Sequence, residues 1–383
     1  MKLTADWIES GPAQRVMSMF SKTGEEAYFV GGCVRNSLLG VPVSDLDIAT
    51  SVRPERTVEL AETFGFKAIP TGIDHGTITV VVEGEPFEIT TFRKDVETDG
   101  RRAVIAFAET IEEDARRRDF TMNALYAKAD GSIVDPLGGL SDLRARRVRF
   151  IDDPVQRIRE DYLRILRFFR FHAWYGDDEA GLDPEGLAAC ATHIDGLARL
   201  SRERIGHEMI KLLSATAPER ALGAMDQTGV LNALLPGAST KAFFILTSLE
   251  QTPDPILRLA ALGEFDVAAL LRLSKAQMGY YQTLRDAALG MRPAAEIAYR
   301  EGETIARGAM TLRAAFLEQP VPERLSDDIR KGAEAKLPIS ARDLMAVLSG
   351  RELGGALKRL EQDWIDSGFQ LSKEELLRRV GRG

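Results

Sequence analysis

Asp45 and Asp47 are two aspartates separated by one residue, a spacing that is typical of a metal-binding pair of carboxylates. They lie in a segment, residues 43–49, whose alternating character predicts a β-strand, and on a strand residues i and i+2 point to the same face. Two adjacent carboxylates repel each other unless a cation lies between them. Mg²⁺ suits such oxygen ligands, often together with phosphate oxygens. A pair of these ions would activate a hydroxyl and stabilise a departing pyrophosphate.

A glycine pair precedes the two aspartates. Gly31 and Gly32 end a short apolar run, residues 27–30, that predicts a buried strand, and a short helix is predicted over residues 36–39. Glycine lets backbone N–H groups approach a phosphate closely, and Arg35 is placed to pair with that phosphate through two hydrogen bonds. The chain contains neither the G-x-x-x-x-G-K-[ST] loop nor the G-x-G-x-x-G turn, so the chemistries they indicate are not expected.

The elements that must position these residues are those of an α/β region. Residues 77–82 and 86–92 are rich in Val, Ile, Thr and Phe and predict a hairpin. Beyond Pro154 the β-branched runs disappear, and Leu, Ala, Arg and Glu recur with helical period. The other predicted elements of the α/β region are helices over residues 54–64 and 120–127 and short strands over residues 131–135 and 147–151.

Composition excludes several classes of protein. The chain has 383 residues, 44% of them apolar, which is too apolar for a disordered protein. It has two cysteines and four histidines without metal-binding spacing, so a disulfide framework and a zinc site are not expected. No signal peptide and no apolar run long enough to cross a membrane are found. These features predict a soluble cytoplasmic protein without a membrane partner.

The charge of the chain is unevenly distributed. The net charge is −8, which argues against a general nucleic-acid coat protein. Residues 144–170 nevertheless contain nine arginines and four acidic residues, and Arg116, Arg117 and Arg118 lie just upstream. A basic stripe on an acidic protein favours local binding of phosphates.

The order and content of several motifs resemble one known family, the class II tRNA nucleotidyltransferases and bacterial poly(A) polymerases. The matching blocks span roughly residues 27–171, and the helical remainder matches only in character. They are Gly31-Gly32-x-x-Arg35 with Leu38-Leu39-Gly40, Asp45-x-Asp47, Thr71-Gly72-Ile73-Asp74-His75-Gly76-Thr77, Glu88-Ile89-Thr90-Thr91-Phe92-Arg93 with Asp99-Gly100-Arg101-Arg102, Arg117-Arg118-Asp119-Phe120-Thr121-Met122-Asn123-Ala124, Asp135-Pro136 with Gly139 and Asp142-Leu143, and Glu160-Asp161-Tyr162-Leu163-Arg164-Ile165-Leu166-Arg167.

The resemblance implies an α+β fold with three parts. A polymerase-β-like nucleotidyltransferase head, with a mixed sheet and helices, would occupy residues 1–150. An all-helical neck that selects the base would occupy residues 151–215. A helical body and tail that bind the acceptor arm of tRNA would occupy residues 216–383, by shape and phosphate contacts.

The resemblance also implies roles for individual residues. Asp45 and Asp47 would hold Mg²⁺, and Glu88 would be the third catalytic carboxylate. Asn123 is left with two roles, a hydrogen bond to the ribose or the capping of a turn. The remaining expected nucleotide-binding residues are Gly31, Gly32, Arg35, Arg118, Asp119, Asp161, Arg164, Arg167 and Arg170.

Asp161 and Arg164 are expected to choose the base. At i and i+3 they would share one helix face. Cytosine and adenine each present an amino donor beside a ring acceptor, whereas uracil and guanine present a carbonyl beside a ring N–H. A carboxylate beside a guanidinium therefore accepts C and A and leaves U and G with unpaired groups, which a hydrogen-bonding site rejects strongly. The resemblance implies that this pair is the protein template for CTP and ATP.

The leading hypothesis is a CCA-adding enzyme, which attaches C, C and A to the tRNA 3′ end and releases pyrophosphate. The alternatives are a poly(A) polymerase, a specialist that adds only CC or only A, and a catalytically inactive RNA-binding relative. The block from Thr71 to Thr77 favours CCA addition, and intact Asp45, Asp47 and Arg35 argue against an inactive relative.

Overall fold

The computed structural model describes residues 1–98 and 103–380, which form two compact units. The first unit is Met1–Pro236, and the second begins at Gly237. The boundaries predicted at residues 150 and 215 both lie inside the first unit, so the division into head and neck stays a prediction. The motif residues 99–102 lie outside the described residues.

A mixed seven-stranded sheet forms the framework of the first unit, as predicted for the head. The strand order is β3-β4-β5-β2-β1-β8-β9, with β2 and β5 parallel and the other neighbours antiparallel. Strands β6 and β7 form a separate antiparallel ribbon. The strands are β1 (Ala27–Val30), β2 (Asp47–Thr50), β3 (Lys67–Gly72), β4 (Thr77–Val82), β5 (Glu85–Thr91), β6 (Arg93–Thr98), β7 (Ala103–Phe107), β8 (Tyr126–Ala127) and β9 (Ile133–Val134).

Helices flank the sheet and then replace it along the first unit. They are α1 (Asp6–Glu9), α2 (Gly11–Ser21), α3 (Gly32–Leu39), α4 (Pro54–Thr63), α5 (Ile111–Arg116), α6 (Gly139–Arg144), α7 (Pro154–Glu160), α8 (Leu163–Tyr175), α9 (Pro184–Thr192), α10 (Arg202–Leu213), α11 (Glu219–Gln227) and α12 (Val230–Leu234). Short 3-10 turns occur at Ile73–His75, Thr121–Asn123 and Ile194–Arg199.

The apolar residues of the central strands explain why the sheet is stable. Tyr28 and Val30 on β1 are buried together with Phe92 and Tyr126, and the Tyr28 and Tyr126 rings meet edge to face at 6.3 Å. Edge-to-face contact is a favoured aromatic geometry. This core fixes β1 and β2 side by side. The glycine turn that follows β1 and the aspartate that begins β2 are therefore held in place.

The hairpin prediction is confirmed by β4 and β5, but two other predictions for the head are wrong. β2 begins only at Asp47, so Asp45 lies in the preceding coil, where its carboxylate accepts a hydrogen bond from Ser44. The segment 120–127 is not a helix. The Asp119 carboxylate accepts the Phe120 N–H and the Asn123 amide, which favours a single 3-10 turn, and the chain then pairs with β1 as β8.

The predicted strands over residues 131–135 and 147–151 have different outcomes. The first is present as the two-residue strand β9. The second is not a strand, and only Phe150 within it forms an isolated bridge, with Phe120. Arg147 and Arg149 on this segment instead pair with the buried carboxylate of Asp142, which orients the segment by side-chain contacts.

The predicted shared helix face of Asp161 and Arg164 is also wrong. Asp161 lies between α7 and α8 with extended backbone (φ −151°, ψ 106°). Its Oδ1 accepts the N–H of Leu163, the first residue of α8, at 3.1 Å. A local hydrogen bond from a backbone N–H to an Asp side chain competes with continuous helix.

The second unit is helical throughout its described part. Leu259 and Leu312 are fully buried there, and a cluster around Trp364 closes its C-terminal end. Its helices are α13 (Lys241–Leu249), α14 (Pro255–Leu262), α15 (Val267–Leu271), α16 (Lys275–Leu289), α17 (Ala294–Glu301), α18 (Glu303–Leu317), α19 (Leu325–Glu334), α20 (Ala341–Leu344), α21 (Gly350–Asp366) and α22 (Lys373–Leu377). Within residues 1–98 and 103–380, no helix is both long and apolar enough to cross a membrane.

Candidate active site

A cavity of about 480 Å³ in the first unit gathers most of the residues singled out from the sequence. This volume is in the range of small-molecule sites. Ten expected site residues line it, together with three that were given no role. The lining residues are Gly31, Gly32, Arg35, Asp47, Arg93, Arg117, Arg118, Asp119, Asn123, Asp161, Arg164, Arg167 and Phe171.

The glycine turn forms one wall of the cavity. Gly31 has φ +73°, a conformation that side chains with a Cβ adopt rarely, and it precedes the first residue of α3. Its N–H donates to the carbonyl of Leu125 at 3.1 Å, which ties the turn to the segment before β8. A Cβ on Gly31 would lie 3.4 Å from Nη1 of Arg118. The turn therefore brings the positive end of the α3 dipole to the cavity wall.

Arg35 lines the cavity but differs from its expected role. Its Nε and Nη2 donate to Oδ1 of Asn36 at 3.1 and 2.7 Å, and Nη2 also donates to the Tyr175 hydroxyl at 2.8 Å. Nη1 donates to the Asn123 side-chain oxygen. Most of its donors are thus occupied by protein groups, so a two-bond contact with a phosphate does not fit this arrangement. Burial lowers the pKa of this guanidinium.

The three expected catalytic carboxylates lie near one another without all lining the cavity. Asp47 and Glu88 are direct partners across the parallel strands β2 and β5. Burial raises the pKa of Asp47, and the Glu88 and Asp45 charges raise it further, against the effect of Arg118. Asp45 and Glu88 are exposed and lie outside the cavity lining. In the described part of the chain, no three His, Cys, Asp or Glu side chains are gathered as a metal site.

Arg118 is held by a buried carboxylate that sequence reasoning missed. Nη2 of Arg118 donates to Oδ2 of Asp114 at 3.0 Å, and its Nε donates to the Tyr126 hydroxyl at 3.1 Å. Burial disfavours the charged form of Asp114, but Arg118 and Arg117 outweigh it and lower the pKa of the carboxyl. Asp114 is fully buried four residues before Arg118, so the i, i+4 spacing was the available signal.

Asp119, Asn123 and Arg167 form a second buried group. Nε of Arg167 donates to Oδ2 of Asp119 at 2.7 Å, and the Asn123 amide donates to Oδ1 at 2.8 Å. Burial opposes ionisation of Asp119, but Arg167 and the Asn123 hydrogen bond outweigh it and lower the pKa of this carboxyl. Asn123 uses its amide to join Asp119 to Arg35, and it does so within the Thr121–Asn123 turn.

Asp161 and Arg164 both line the cavity, although each is held by a different partner. Oδ2 of Asp161 accepts from Nη2 of Arg204 at 2.6 Å. Nη1 of Arg164 donates to Oε2 of Glu160 at 2.6 Å and to the Arg157 carbonyl at 2.8 Å. Carboxylate oxygens accept more than one hydrogen bond, so Asp161 retains acceptor capacity toward the cavity.

The structure does not bring Arg170 to the cavity. Its Nε donates to Oε2 of Glu208 at 2.5 Å, and its guanidinium lies 4.5 Å from the Phe171 ring centroid. Phe171 lines the cavity in its place, one helical turn beyond Arg167. The other two unassigned lining residues, Arg93 and Arg117, belong to motif blocks that matched the family, so their position in those blocks was the signal.

Comparison with known proteins agrees with this geometry. The family described as the poly A polymerase head domain matches residues 27–149, and the one described as the probable RNA and SrmB-binding site of polymerase A matches residues 181–241. The human mitochondrial CCA tRNA nucleotidyltransferase 1 is 33% identical over 94% of this chain and 87% of its own length. The chain belongs to the CCA-adding tRNA nucleotidyltransferase family.

Other members of the family support the same assignment. The CCA-adding enzyme of Bacillus licheniformis is 32% identical over 93% of this chain and 91% of its own length. The crystal structure of the Bacillus stearothermophilus CCA-adding enzyme in complex with CTP has a TM-score of 0.80 and 29% identity. The superposition covers 99% of this chain and 98% of the Bacillus stearothermophilus chain. The expected α+β nucleotidyltransferase fold is confirmed.

Proposed function

We propose that this protein attaches C, C and A to the 3′ end of tRNA, using CTP and ATP and releasing pyrophosphate. The observation that carries the proposal is the composition of the cavity. Asp47 and Arg118 line the same cavity as Asp161 and Arg164. One set of residues suits a triphosphate and its reacting phosphorus, and the other suits a base edge, so a single nucleotide fits between them.

The phosphate end of the cavity is formed by groups that favour negative charge. Arg118 lies beside the glycine turn, and Asp114 fixes the direction of its guanidinium. The α3 N-terminus adds the partial charge of its backbone N–H groups. We propose that Arg118 and this helix end bind the triphosphate. Arg35 has a positioning role, since it donates hydrogen bonds to Asn123 and Tyr175.

The negative charges of Asp45 and Glu88 both act on Asp47, and a divalent cation such as Mg²⁺ suits this group of carboxylates. Burial and then the charge of Glu88 raise the pKa of Asp47, and Mg²⁺ prefers one or two carboxylates together with substrate phosphates over an all-protein cage. We propose Asp45 and Asp47 as its ligands. When bound, the ion supplies charge neutralisation at the departing pyrophosphate and at the attacking 3′ hydroxyl. The backbone pairing of β2 with β5 places Glu88 next to Asp47, and we propose Glu88 as the third catalytic carboxylate.

The base end of the cavity explains selection of C and A. The Asp161 carboxylate accepts a hydrogen bond from the amino group of cytosine or adenine, and Arg164 donates to the neighbouring ring nitrogen. Arg164 bonds Glu160, Arg157 and Arg117 through Nη1 and Nη2, so its Nε–H is left without a partner among the described residues. Uracil and guanine would leave both side chains unpaired, at a cost that hydrogen-bonding sites use for discrimination.

We further propose that the helical region from residue 216 onward holds the acceptor arm of tRNA, and that the neck, residues 151–215, carries base selection. A body that binds one RNA shape keeps the primer fixed, so growth of the 3′ end changes the space left in the cavity. We also propose a cytoplasmic location, which the two buried free cysteines, Cys33 and Cys190, support.

The test is addition of single labelled nucleotides to a tRNA that lacks its 3′ CCA, with Mg²⁺ present. CTP alone gives a product two nucleotides longer, and ATP is incorporated only after those two. A CC-adding specialist incorporates no ATP after CTP, an A-adding specialist extends only tRNA that already ends in CC, and an inactive relative incorporates nothing. Each of these three results contradicts the proposal.

A further inference from the structure

Trp174 presents a large aromatic surface to solvent near the end of α8. It is 42% exposed, and within the described part of the first unit only Met1 and Ile73 are other exposed large apolar residues. Its indole Nε1 donates to the backbone carbonyl of Lys211 at 2.7 Å. This hydrogen bond fixes the ring while it remains exposed, so little side-chain entropy is left to lose when another group packs on it.

The position of Trp174 on α8 continues the wall of the cavity. Arg167 and Phe171 line the cavity, and Trp174 follows Arg167 by seven residues. Seven residues are nearly two helical turns, so Trp174 lies on the same face at a distance of about 10 Å along the axis. A chain that leaves the cavity along this face of α8 passes over the indole.

A series of contacts between α8 and α10 leads from the cavity to Trp174. Asp161, just before α8, accepts a hydrogen bond from Arg204 near the start of α10. Arg170 on α8 donates to Glu208, which lies one turn after Arg204 on α10. The Trp174 contact with Lys211 is the last of the series. The residue numbers increase in the same direction on both sides of this series of contacts, so α8 and α10 run parallel. The Lys211 side chain is exposed.

We propose that Trp174 is a stacking site for an unpaired base near the 3′ end of the RNA primer. An exposed aromatic ring held in one orientation suits a nucleic-acid base, because each base has a face that stacks. The site rests on the proposed function, since the strand must reach the cavity for its 3′ hydroxyl to react. Continuity of this face with the nucleotide cavity favours the RNA primer as the occupant, because the 3′ end of the primer must enter that cavity.

The test is binding of two RNA hairpins in the absence of nucleotides. Both carry the same acceptor-stem duplex, but one is blunt and the other has an unpaired 3′ extension of three nucleotides ending in C-C. Trp174→Ala weakens binding of the extended hairpin about 5- to 100-fold, the loss expected for one base–aromatic stack. Binding of the blunt hairpin changes less than about 2-fold, since it lacks the stacked base. Trp174→Phe retains most of the affinity because it keeps a ring.

Two controls accompany the binding test. Phe66→Ala removes a partly exposed aromatic ring between α4 and β3 of the first unit, where no RNA contact is proposed, and leaves both affinities unchanged. The extended hairpin quenches tryptophan fluorescence of the unmodified protein, and the quenching is reduced in Trp174→Phe, which leaves Trp7 and Trp364 in place. Equal melting temperatures of the variants show that they are folded.

Equal loss of affinity for both hairpins in Trp174→Ala, or no loss for either, overturns the stacking site. A change in sedimentation of the free protein on this substitution also overturns it, because the indole would then be covered by a second copy of the chain. If the unmodified protein adds CCA but Trp174→Ala shows no selective loss, the stacking site is wrong and the proposed function stands. If the unmodified protein adds no nucleotides, the proposed function is wrong, and the hairpin binding measurements alone decide the stacking site.

Discussion

Arg164 donates a hydrogen bond from Nη2 to the backbone carbonyl of Arg117 at 3.1 Å. Arg157 donates to the same carbonyl at 2.5 Å. Arg117 directly precedes Arg118, so the residue proposed to read the base is tied to the loop that holds the arginine proposed to bind the triphosphate. The distance between the two ends of the nucleotide cavity is therefore fixed by hydrogen bonds to a backbone carbonyl. A substitution of the Arg117 side chain leaves this carbonyl in place.

Replacement of Asp47 tests the metal chemistry. Asp47→Ala should abolish nucleotide addition, because it removes the cavity-lining carboxylate proposed to hold Mg²⁺. tRNA affinity should remain nearly unchanged, since phosphate contacts elsewhere carry binding. Single-turnover addition and filter binding measure the two quantities. Glu62→Ala on the exposed side of α4 is the matched control with normal turnover. Near-normal turnover of Asp47→Ala would show that the assignment is wrong.

Replacement of Asp161 tests base choice. Asp161→Ala should slow the use of CTP and ATP and reduce the ratio of kcat/KM for CTP over UTP. The loss is roughly 1–3 kcal/mol for one hydrogen-bonded partner. Asp195→Ala, an exposed aspartate in the same region, should leave that ratio unchanged. An unchanged ratio in Asp161→Ala would contradict the protein-template account.

The sequence predicted the residues of the site better than their local geometry. Motif blocks identified Gly31, Asp47, Arg118, Asp161 and Arg164 because these residue types carry the chemistry wherever they fold. The break between α7 and α8 escaped prediction, since the pattern of residues 154–175 is helical throughout. It depends on one carboxylate, Asp161, that accepts a backbone N–H two residues on.

Buried partners were the other part that could not be predicted. Asp114, Glu208 and Tyr175 contact the cavity arginines Arg118, Arg167 and Arg35, but a carboxylate or hydroxyl in a helical pattern is ordinarily solvated. Periodicity shows which face of a helix is apolar, whereas these contacts depend on how separate segments approach one another. Arg35 illustrates this, because its donors are satisfied by residues one, 88 and 140 positions away.

Asp114 provides a test of stability. Asp114→Asn should lower the free energy of unfolding at pH 7 by about 3 kcal/mol, since it leaves two largely buried guanidiniums without their counter-charge. The folded-state pKa of Asp114 lies below its unfolded value of about 3.9. The stabilisation is therefore fully present above that value and is lost as the pH falls below it.

Urea unfolding at pH 7, 5 and 3.5 measures this difference. The gap between the original protein and Asp114→Asn should be constant at the two higher pH values and smaller at pH 3.5. Asp152→Asn, which removes an exposed partner of Arg116, should cost less than about 1 kcal/mol. A gap that grows on acidification would be inconsistent with an ionised Asp114 in the folded protein.

A second pH dependence of stability is expected from His172, which is buried in its neutral form, whereas Asp114 is buried in its charged form. Burial lowers the pKa of His172 to about 4, with smaller opposing effects of Asp178 and Asp177 and a lowering effect of Arg220. The unfolded chain binds the proton near pH 6.5, so stability is lost as the pH falls from 6.5 toward 4. Between pH 7 and 5 this contributes a loss of roughly 2 kcal/mol.

Comparison of His172→Gln with the unmodified protein isolates that contribution. The variant should lose less stability between pH 7 and 5, whereas His207→Gln, at an exposed position on α10, should follow the unmodified protein. Chemical unfolding at the two pH values provides the measurement. Equal pH dependence in all three proteins would mean that His172 takes up its proton in the folded state.

The most direct test of CCA addition is a sequencing gel of products formed on tRNA that ends at the discriminator base, with all four nucleotides and Mg²⁺ present. One nucleotide cavity with one Asp161–Arg164 pair accepts both C and A, so order and termination come from the length of the primer in a cavity of limited size. The account predicts three added nucleotides, C, C and A, and no further product. Long A tails on unstructured RNA, or arrest after two C residues, would contradict it.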